Sequence, residues 1–220
     1  FDDGVTLVAT SNVEPHRLYE NGLNRALFLP FIDLIEARMD EFRLDSRTDF
    51  RLEKLGGSPV YYVPADARAK AALDEAFRKL TGVPHGRART LVVKGHPVEI
   101  PEAAAGVARF SFVDLCAKAY GASDYMALAD RFHTFIIDHI PVMDVEKRNE
   151  AKRFITLIDT LYDRHVKLIA SADAEPTGLY VGQSGREAFE FDRTASRLIE
   201  MRSDEYLASP HGLDADVVPS

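Results

Sequence analysis

Two segments of closely similar sequence lie 161 residues apart in this chain, and each contains a short apolar run. Residues 1–19 align with residues 162–180 at a constant offset, and 8 of the 19 positions are identical. The apolar runs at 5–10 and 166–170 are typical of strands that are buried on both faces, as in a parallel sheet. Such strands need helices on both sides, so the repeat favours an α/β fold. Duplication and convergence of two core strands both account for the repeat.

The other patterns along the chain agree with this fold class. Helical spacing of apolar residues is strongest at 66–80 and 146–162. It also occurs at 23–38, where Pro30 predicts a kink or two helices, and at 194–202. Strands are predicted at 42–44, 61–63, 109–112 and 132–137, with a hairpin at 91–101, and residues 189–191 precede the last helix.

We therefore predict four regions. Residues 1–39 form a core strand and the helices after it, and residues 40–112 form a mixed strand and helix insertion. Residues 113–208 form a C-terminal α/β part, and residues 209–220 form a loose tail.

Composition excludes several classes of function. Lys and Arg number 27 and Asp and Glu 35, so the net charge is −8, which argues against general nucleic-acid or anionic-membrane binding. No apolar run approaches the ~18 residues of a membrane span. The single cysteine, Cys116, excludes an intramolecular disulfide and a Cys-based zinc cluster, and it fits a reducing compartment, so we expect a cytoplasmic protein.

Asn12 and Arg25 are the first candidate functional residues. Asn12 follows the first predicted strand, and open α/β sheets bind ligands beyond the carboxyl ends of their strands. Its amide could orient a water molecule toward a γ-phosphate, although the strand alone favours the simpler explanation of an Asx-type cap before Pro15. Arg25 could reach a neighbouring subunit's γ-phosphate as an arginine finger, although a single arginine at a helix start is usually just solvated.

The repeat also predicts which secondary-structure elements precede its first copy. In its second copy, a strand that ends at Asp138 and a helix come before the strand at 166–170. An acid-ended strand, a helix and a strand with a polar end are the order of the Walker B and sensor segments of P-loop ATPases. The same context for the first copy would lie upstream of Phe1, so we expect the 220 residues to be part of a longer protein.

Several motifs together resemble one family, the ZapE-type cell-division ATPases, which are relatives of the mitochondrial lactation-elevated ATPase and belong to the AAA+ P-loop ATPases. The motifs run in order along almost the whole chain: VTLVATSN at 5–12, NGLNR at 21–25, FLPFI at 28–32, FHT at 132–134, IPVM at 140–143 and RTASRL at 193–198. Asn24, where glutamine is expected, and Leu27, in a stretch that is often more polar, depart from the family pattern.

The resemblance implies a partial P-loop, three-layer α/β fold and ATP hydrolysis with Mg²⁺. It implies that Asn12 is the sensor-1 residue and Arg25 an arginine finger, with Arg193 and Arg197 as finger or sensor-2-type arginines that bind the nucleotide. Pairing of these two with Asp192, Glu200 or Asp204 would explain them equally well. The implied partners are a cell-division ring protein or another protein substrate, and further copies of the chain in a homo-oligomer.

One expected motif is missing from the 220 residues. No Gly-x-x-x-x-Gly-Lys-Ser/Thr sequence occurs, and no Walker B pair precedes Asn12. Without the P-loop amides and lysine, nothing holds the β- and γ-phosphates. We therefore expect this chain to be the C-terminal part of an ATPase, and to be inactive alone.

Two other functions remain open on sequence grounds. The missing P-loop is compatible with a non-catalytic adaptor that binds a division or membrane-assembly protein. A metal hydrolase built on His133 and His139 is weaker, because Asp138 should point to the other face of their strand. We interpret Asp138 as structural or as a relic of duplication, and Cys116 as a buried, inert thiol.

Overall fold

The computed structural model describes residues 25–39, 57–182 and 186–212, together with Pro15 and Leu55. The chain divides into two compact units, Phe1–Asp45 and Ser46–Ser220. The strands predicted at 5–10 and 42–44 lie outside the described residues.

In the first unit, a 3-10 turn, Arg25–Leu27, precedes helix α1, Leu29–Arg38. Pro30 lies in the first turn of α1, where a residue without an N–H group loses no hydrogen bond. The break that Pro30 predicts is therefore present, but it comes at Phe28, before the helix begins, and Pro30 does not kink α1.

The second unit is built on a six-stranded sheet in the order β1-β6-β5-β4-β3-β2. Its strands are β1 Tyr61–Tyr62, β2 Arg87–Val93, β3 His96–Ala104, β4 Val107–Ser111, β5 Thr134–Ile140 and β6 Lys167–Ala172. Its helices are α2 Ala67–Thr81, α3 Phe112–Cys116, α4 Ala122–Arg131, α5 Arg148–Asp163, α6 Arg186–Glu200 and α7 Asp204–Ala208.

Four strands of the sheet are parallel, in the order β1, β6, β5, β4, and β3 and β2 continue it as an antiparallel hairpin. Lys94 and Gly95 form the hairpin turn with φ values of 48° and 87°. Positive φ at both central residues is the geometry of two-residue turns that match the twist of the strands. The predicted α/β class, with parallel core strands and an antiparallel portion, is confirmed.

Helices cover both faces of the parallel strands. On one face, α2 packs Leu73 and Phe77 against Val107, Ile136 and Ile169, which lie on β4, β5 and β6. The alternate residues of the same strands, such as Phe110, Phe135 and Leu168, point to the opposite face, where α3, α4, α5 and α6 pack. This three-layer arrangement is the one that the continuous apolar runs predict.

Local signals in the sequence start and stop these helices. The Asp66 carboxylate accepts hydrogen bonds from the backbone N–H groups of Arg68 and Ala69 at the start of α2, and Gly82 ends the helix with φ +77°. At the start of α3, Ser111 and Asp114 form a reciprocal capping box. The predicted helices at 66–80 and 146–162 are confirmed as α2 and α5.

The structure differs from the sequence predictions near the C-terminus. The helix predicted at 194–202 begins earlier in the structure, because residues 189–191 already belong to α6, which starts at Arg186. Phe191, Ala195 and Leu198 have helical spacing and are buried, whereas Phe189 is 82 % exposed. Helix α4 had no counterpart among the predicted elements.

Residues 209–212 are anchored, although the chain was expected to loosen at 209. Lys167 is fully buried, and its ammonium donates hydrogen bonds to the Tyr206 carbonyl (2.7 Å) and the Ser209 hydroxyl (2.8 Å). The Gly212 N–H donates to the Arg164 carbonyl. A buried ammonium is costly unless it is paired, so these contacts hold the C-terminal segment at the amino ends of β5 and β6.

A second charged side chain, Arg109 on β4, connects the sheet to α2. Its Nε and Nη2 donate to the two carboxylate oxygens of Asp138 on β5, at 2.7 and 2.8 Å. Its Nη1 donates to Asp74 on α2 at 2.6 Å. The Arg109 side chain is 12 % exposed, so the ion pairs are only weakly screened by solvent.

No helix in the described ranges is both long enough and apolar enough to cross a bilayer.

We expect Arg109→Met to lower the free energy of unfolding by about 2 kcal/mol, because it leaves two partly buried carboxylates without their cation. Denaturant unfolding of the chain measures this change. Arg78→Met is the matched control: Arg78 pairs with Glu75 on the exposed side of α2, and its loss should cost at most about 0.5 kcal/mol. Equal costs for the two variants would contradict a structural role for the Arg109 cluster.

Candidate functional site

The carboxyl ends of the parallel strands place several polar side chains at one edge of the sheet. Asp138 lies near the end of β5, Ser171 near the end of β6, and Asp173 directly after it. Ser111, the last residue of β4, caps α3. This edge is where open α/β sheets bind ligands.

Asp138 is fully engaged by protein groups at this edge. Both of its carboxylate oxygens accept hydrogen bonds from Arg109, which also binds Asp74. The hydrogen bonds that Arg109 donates to Asp138 outweigh burial and, with the one it donates to Asp74, raise the pKa of Arg109, so the guanidinium stays charged. Burial raises the pKa of Asp74, but the hydrogen bonds from Arg109 and Lys70 outweigh it and leave that pKa below its usual value. This geometry supports the structural interpretation of Asp138 over a Walker B role.

His139 has a strained backbone beside this ion pair. Its φ is +57°, in the left-handed region that few non-glycine residues adopt, and it lies where the register between β5 and β6 shifts. Its N–H donates to the Ser171 hydroxyl at 2.9 Å, and its Nε2 lies 3.4 Å from the Asp173 carboxylate. The His139 side chain is 64 % exposed, so this contact with Asp173 is a surface one.

His133 lies at the other end of β5. Its Nδ1 is 2.8 Å from the Thr134 hydroxyl, and its Nε2 is 3.0 Å from the Ala105 carbonyl. The ring also lies against Gly106, where a Cβ atom would meet it at 2.5 Å. His133 therefore holds the turn between β3 and β4, far along the strand from His139, and the geometry does not support a metal hydrolase.

The described ranges contain no cluster of three His, Cys, Asp or Glu side chains that could hold a metal ion. Among the described carboxylates, Asp138 has the position at a strand end that resembles that of a Walker B acid. The Arg109 guanidinium pairs with it in place of a metal ion. The described residues therefore do not fit Mg²⁺.

The second copy of the repeat has the predicted order of elements: β5 with Asp138, then α5, then β6. In the alignment, Asp173 corresponds to Asn12, and Pro176 to Pro15. Asp173 follows the last residue of β6 at the carboxyl edge, and Pro176 begins a 3-10 turn, Pro176–Gly178. Pro15 is likewise in a 3-10 turn. Asn12 itself lies outside the described residues.

Arg25 begins the 3-10 turn before α1, and its carbonyl accepts a hydrogen bond from the Phe28 N–H at 2.8 Å. Its side chain is partly buried. Its role as an arginine finger stays a prediction, as does the sensor-1 role of Asn12.

Arg193 and Arg197 are one turn apart on α6 and bind the same carboxylate. Arg193 Nη2 donates to Asp159 on α5 at 2.5 Å, and Arg197 Nη1 donates to the other oxygen at 2.7 Å. Arg197 also lies 3.2 Å from Asp163 and stacks on the Tyr162 ring at 4.6 Å. The structure thus brings the two arginines together, with partners on α5 and not the nearby acids of α6 and α7.

The two arginines differ in exposure. The Arg193 side chain is 57 % exposed, whereas that of Arg197 is 21 % exposed. Arg193 can therefore leave Asp159 for a phosphate at little cost, while Arg197 would lose two ion pairs and an aromatic contact.

Cys116 is fully buried at the end of α3. Burial raises the pKa of its thiol well above the usual range, which disfavours the nucleophilic thiolate. Cys116 is thus the buried, inert thiol that the sequence indicated.

Four charged residues that organise the second unit were not among the sequence predictions: Asp74, Arg109, Asp159 and Lys167. Two of them could have been recognised from the sequence, because Arg109 and Lys167 interrupt otherwise apolar strands. A charge at such a position needs a partner, and the sequence does not say which acid supplies it.

Comparison with known proteins gives the same family over the whole chain. Residues 1–210 match the family model of the AFG1-like ATPases. The chain is 40 % identical over 211 residues to the cell division protein ZapE of Escherichia coli (strain K12), covering 96 % of this chain and 56 % of that protein. It is 33 % identical over 242 residues to lactation elevated protein 1 homolog B of Danio rerio, covering 95 % of this chain and 48 % of that protein.

No solved structure matches the chain. The chain spans about half the length of the curated relatives it matches. The family match nevertheless includes almost every residue of the chain, and the motifs at 5–12, 21–32 and 193–198 lie within it. The chain belongs to the AFG1-like ATPase family.

Proposed function

We propose that this chain is the C-terminal part of an ATP-hydrolysing protein in which hydrolysis remodels a protein partner. The observation that carries the proposal is the family match over residues 1–210, supported by the predicted order of β5, α5 and β6 in the second unit. The P-loop then comes from residues other than these 220, which contain no Gly-x-x-x-x-Gly-Lys-Ser/Thr sequence. The described residues do not fit Mg²⁺ either. The division role in the name of the Escherichia coli relative suggests a cell-division ring protein as the partner.

Asn12 and Arg25 are the residues of this chain that we propose to act on ATP. The neutral Asn12 amide orients the attacking water without adding negative charge near the γ-phosphate. The Arg25 guanidinium, supplied by a neighbouring subunit, stabilises the negative charge that develops on the transferred phosphoryl group. Action of Arg25 across a subunit interface requires a homo-oligomer. We propose that the protein works in the cytoplasm.

A second candidate, a non-catalytic adaptor, rests on the absence of a P-loop sequence from the 220 residues. The two proposals differ in one measurement. ATP hydrolysis by a longer protein that contains this chain and its upstream sequence supports the first. Nucleotide binding without hydrolysis, or neither, supports the adaptor.

Asn12→Ala in that longer protein should lower kcat by ~10²-fold or more, because one positioned polar group is lost from the transition state. Steady-state ATP hydrolysis with saturating substrate measures the change. Asn149→Ala, an exposed position on α5, is the matched control and should leave kcat unchanged. Wild-type turnover by Asn12→Ala would rule out the sensor role.

Arg25→Ala should lose hydrolysis to a similar degree and regain part of it in mixed oligomers. Subunits carrying Asn12→Ala retain Arg25, and subunits carrying Arg25→Ala retain Asn12, so mixing the two inactive proteins restores some intact sites if Arg25 acts in trans. Hydrolysis by the mixture, compared with each variant alone, measures this. Two variants that stay inactive when mixed would show that Arg25 does not act across a subunit interface.

Arg193 and Arg197 should separate into a nucleotide-binding and a structural residue. Arg193→Ala should raise the KM for ATP and change the free energy of unfolding by less than about 0.5 kcal/mol, because its ion pair is exposed. Arg197→Ala should lower the free energy of unfolding by about 1 kcal/mol or more, since three contacts are lost. Kinetics and denaturant unfolding of both variants give the comparison. An unchanged KM for Arg193→Ala would show that Arg193 forms a surface ion pair and does not bind the nucleotide.

A further inference from the structure

Strand β2 forms one end of the sheet, and its outer edge is unpaired among the described residues. It follows β3 at the end of the order β1-β6-β5-β4-β3-β2, and it pairs only with β3 there. At seven residues, β2 is long enough to form a ladder with a further strand. Exposed edges of this kind bind extended peptides by adding a strand to the sheet.

The register of the hairpin shows which backbone groups point outward. Val92 lies opposite Pro97, which has no N–H group, so this pair cannot exchange the two hydrogen bonds of a bonded position. Bonded and non-bonded pairs alternate, so Thr90 and Glu99 are also non-bonded. The Glu99 N–H indeed donates to the Tyr120 hydroxyl at 3.1 Å. The N–H and C=O groups of Thr90 and Val92 therefore point away from β3.

The side chains of β2 are open to an incoming strand. Val92 is 76 % exposed, and Thr90 is also exposed. Leu91 and Val93 are half-buried against the core, on the face that α4 covers. The register shift between Arg87 and Arg89 is a bulge that limits a regular ladder to residues 89–93.

The charges of this edge favour an acidic partner. Arg87 and Arg89 are exposed, and within the described part of the chain neither side chain makes an ion pair or a hydrogen bond. The neighbouring acids are engaged: Glu99 binds Lys118, Glu102 accepts from the Gly86 N–H and lies near His85, and Asp124 lies 2.8 Å from His96. On a chain of net charge −8, this edge is therefore a basic strip.

We propose that the outer edge of β2 binds an extended acidic segment of a partner protein as a seventh strand. The Thr90 and Val92 backbone groups supply the ladder, and Arg87 and Arg89 select acidic side chains. A second copy of this chain fits less well, because its β2 edge carries the same two arginines and offers them no acidic side chain. The proposal goes beyond ATP hydrolysis, and it holds or fails without nucleotide.

Peptide binding to the 220-residue chain tests the proposal. The probe is a fluorescent peptide of about eight residues that alternates Val and Glu. Its first comparator has Lys in place of Glu, and its second is N-methylated at alternate residues, which removes the ladder donors on one edge. Fluorescence anisotropy gives the affinities, and amide hydrogen exchange locates the site.

We expect the Val-Glu peptide to bind and to slow exchange of the Thr90 and Val92 N–H groups, which lack a partner on β3. The double variant R87E/R89E should weaken binding by roughly tenfold or more, because two attractive contacts become repulsive. The double variant R68E/K79E, at exposed positions on α2, changes the net charge equally and should bind within about twofold of wild type. Circular dichroism and thermal unfolding check that both variants fold.

Several results would overturn the proposal. They are the absence of binding, equal binding of the Lys or the N-methylated peptide, equal weakening by R68E/K79E, or protection away from β2. Dimerisation of the chain through this edge at assay concentrations would also overturn it, because β2 would then bind a second copy.

Discussion

The Arg109 guanidinium holds together the part of the sheet on which the rest of the second unit is built. It connects β4 to β5 through Asp138 and to α2 through Asp74. Helix α2 covers one face of β4, β5 and β6, so the same ion pairs that order the strand ends also fix one of the two helical layers. Because the guanidinium is largely shielded, its carboxylates cannot be given up without leaving charge unpaired near the core.

The ion pair between Arg109 and Asp138 also explains how the same order of strand, helix and strand can either hold a metal ion or form a structural contact. A strand that ends in an acid, followed by a helix and another strand, is the arrangement that P-loop ATPases use to hold Mg²⁺. In the second unit the same arrangement is present, but Arg109 provides the positive charge that a cation would otherwise supply. The strained His139 backbone and the Ser171 hydroxyl complete the strand ends by protein–protein contacts. The carboxyl ends of these strands are therefore occupied by contacts between protein side chains, and their role in the second unit is structural.

The sequence predicted the parts of this structure that depend on local pattern. The apolar runs located β5 and β6, the helical periodicity located α2 and α5, and the apolar segments on either side of residues 95–97 located the hairpin. The predicted start of the last helix at Thr194 came too late, although the helical spacing of buried residues already includes Phe191. Arg193 and Arg197 were predicted from the resemblance, but their partner, Asp159, is 34 residues away from the nearer of them. Such pairings depend on which helices pack together, and local pattern carries no information about that.

The buried ammonium of Lys167 makes the order of synthesis matter for this fold. Strand β6 lies at the interior of the sheet, yet the groups that satisfy its first residue, the Tyr206 carbonyl and the Ser209 hydroxyl, are about forty residues further along the chain. While a ribosome is still making α6, β6 can pair with β5 only if Lys167 remains in water. The sheet of the second unit can therefore close fully only after the last helix has left the exit tunnel, and until then the chain offers partly formed strands to chaperones.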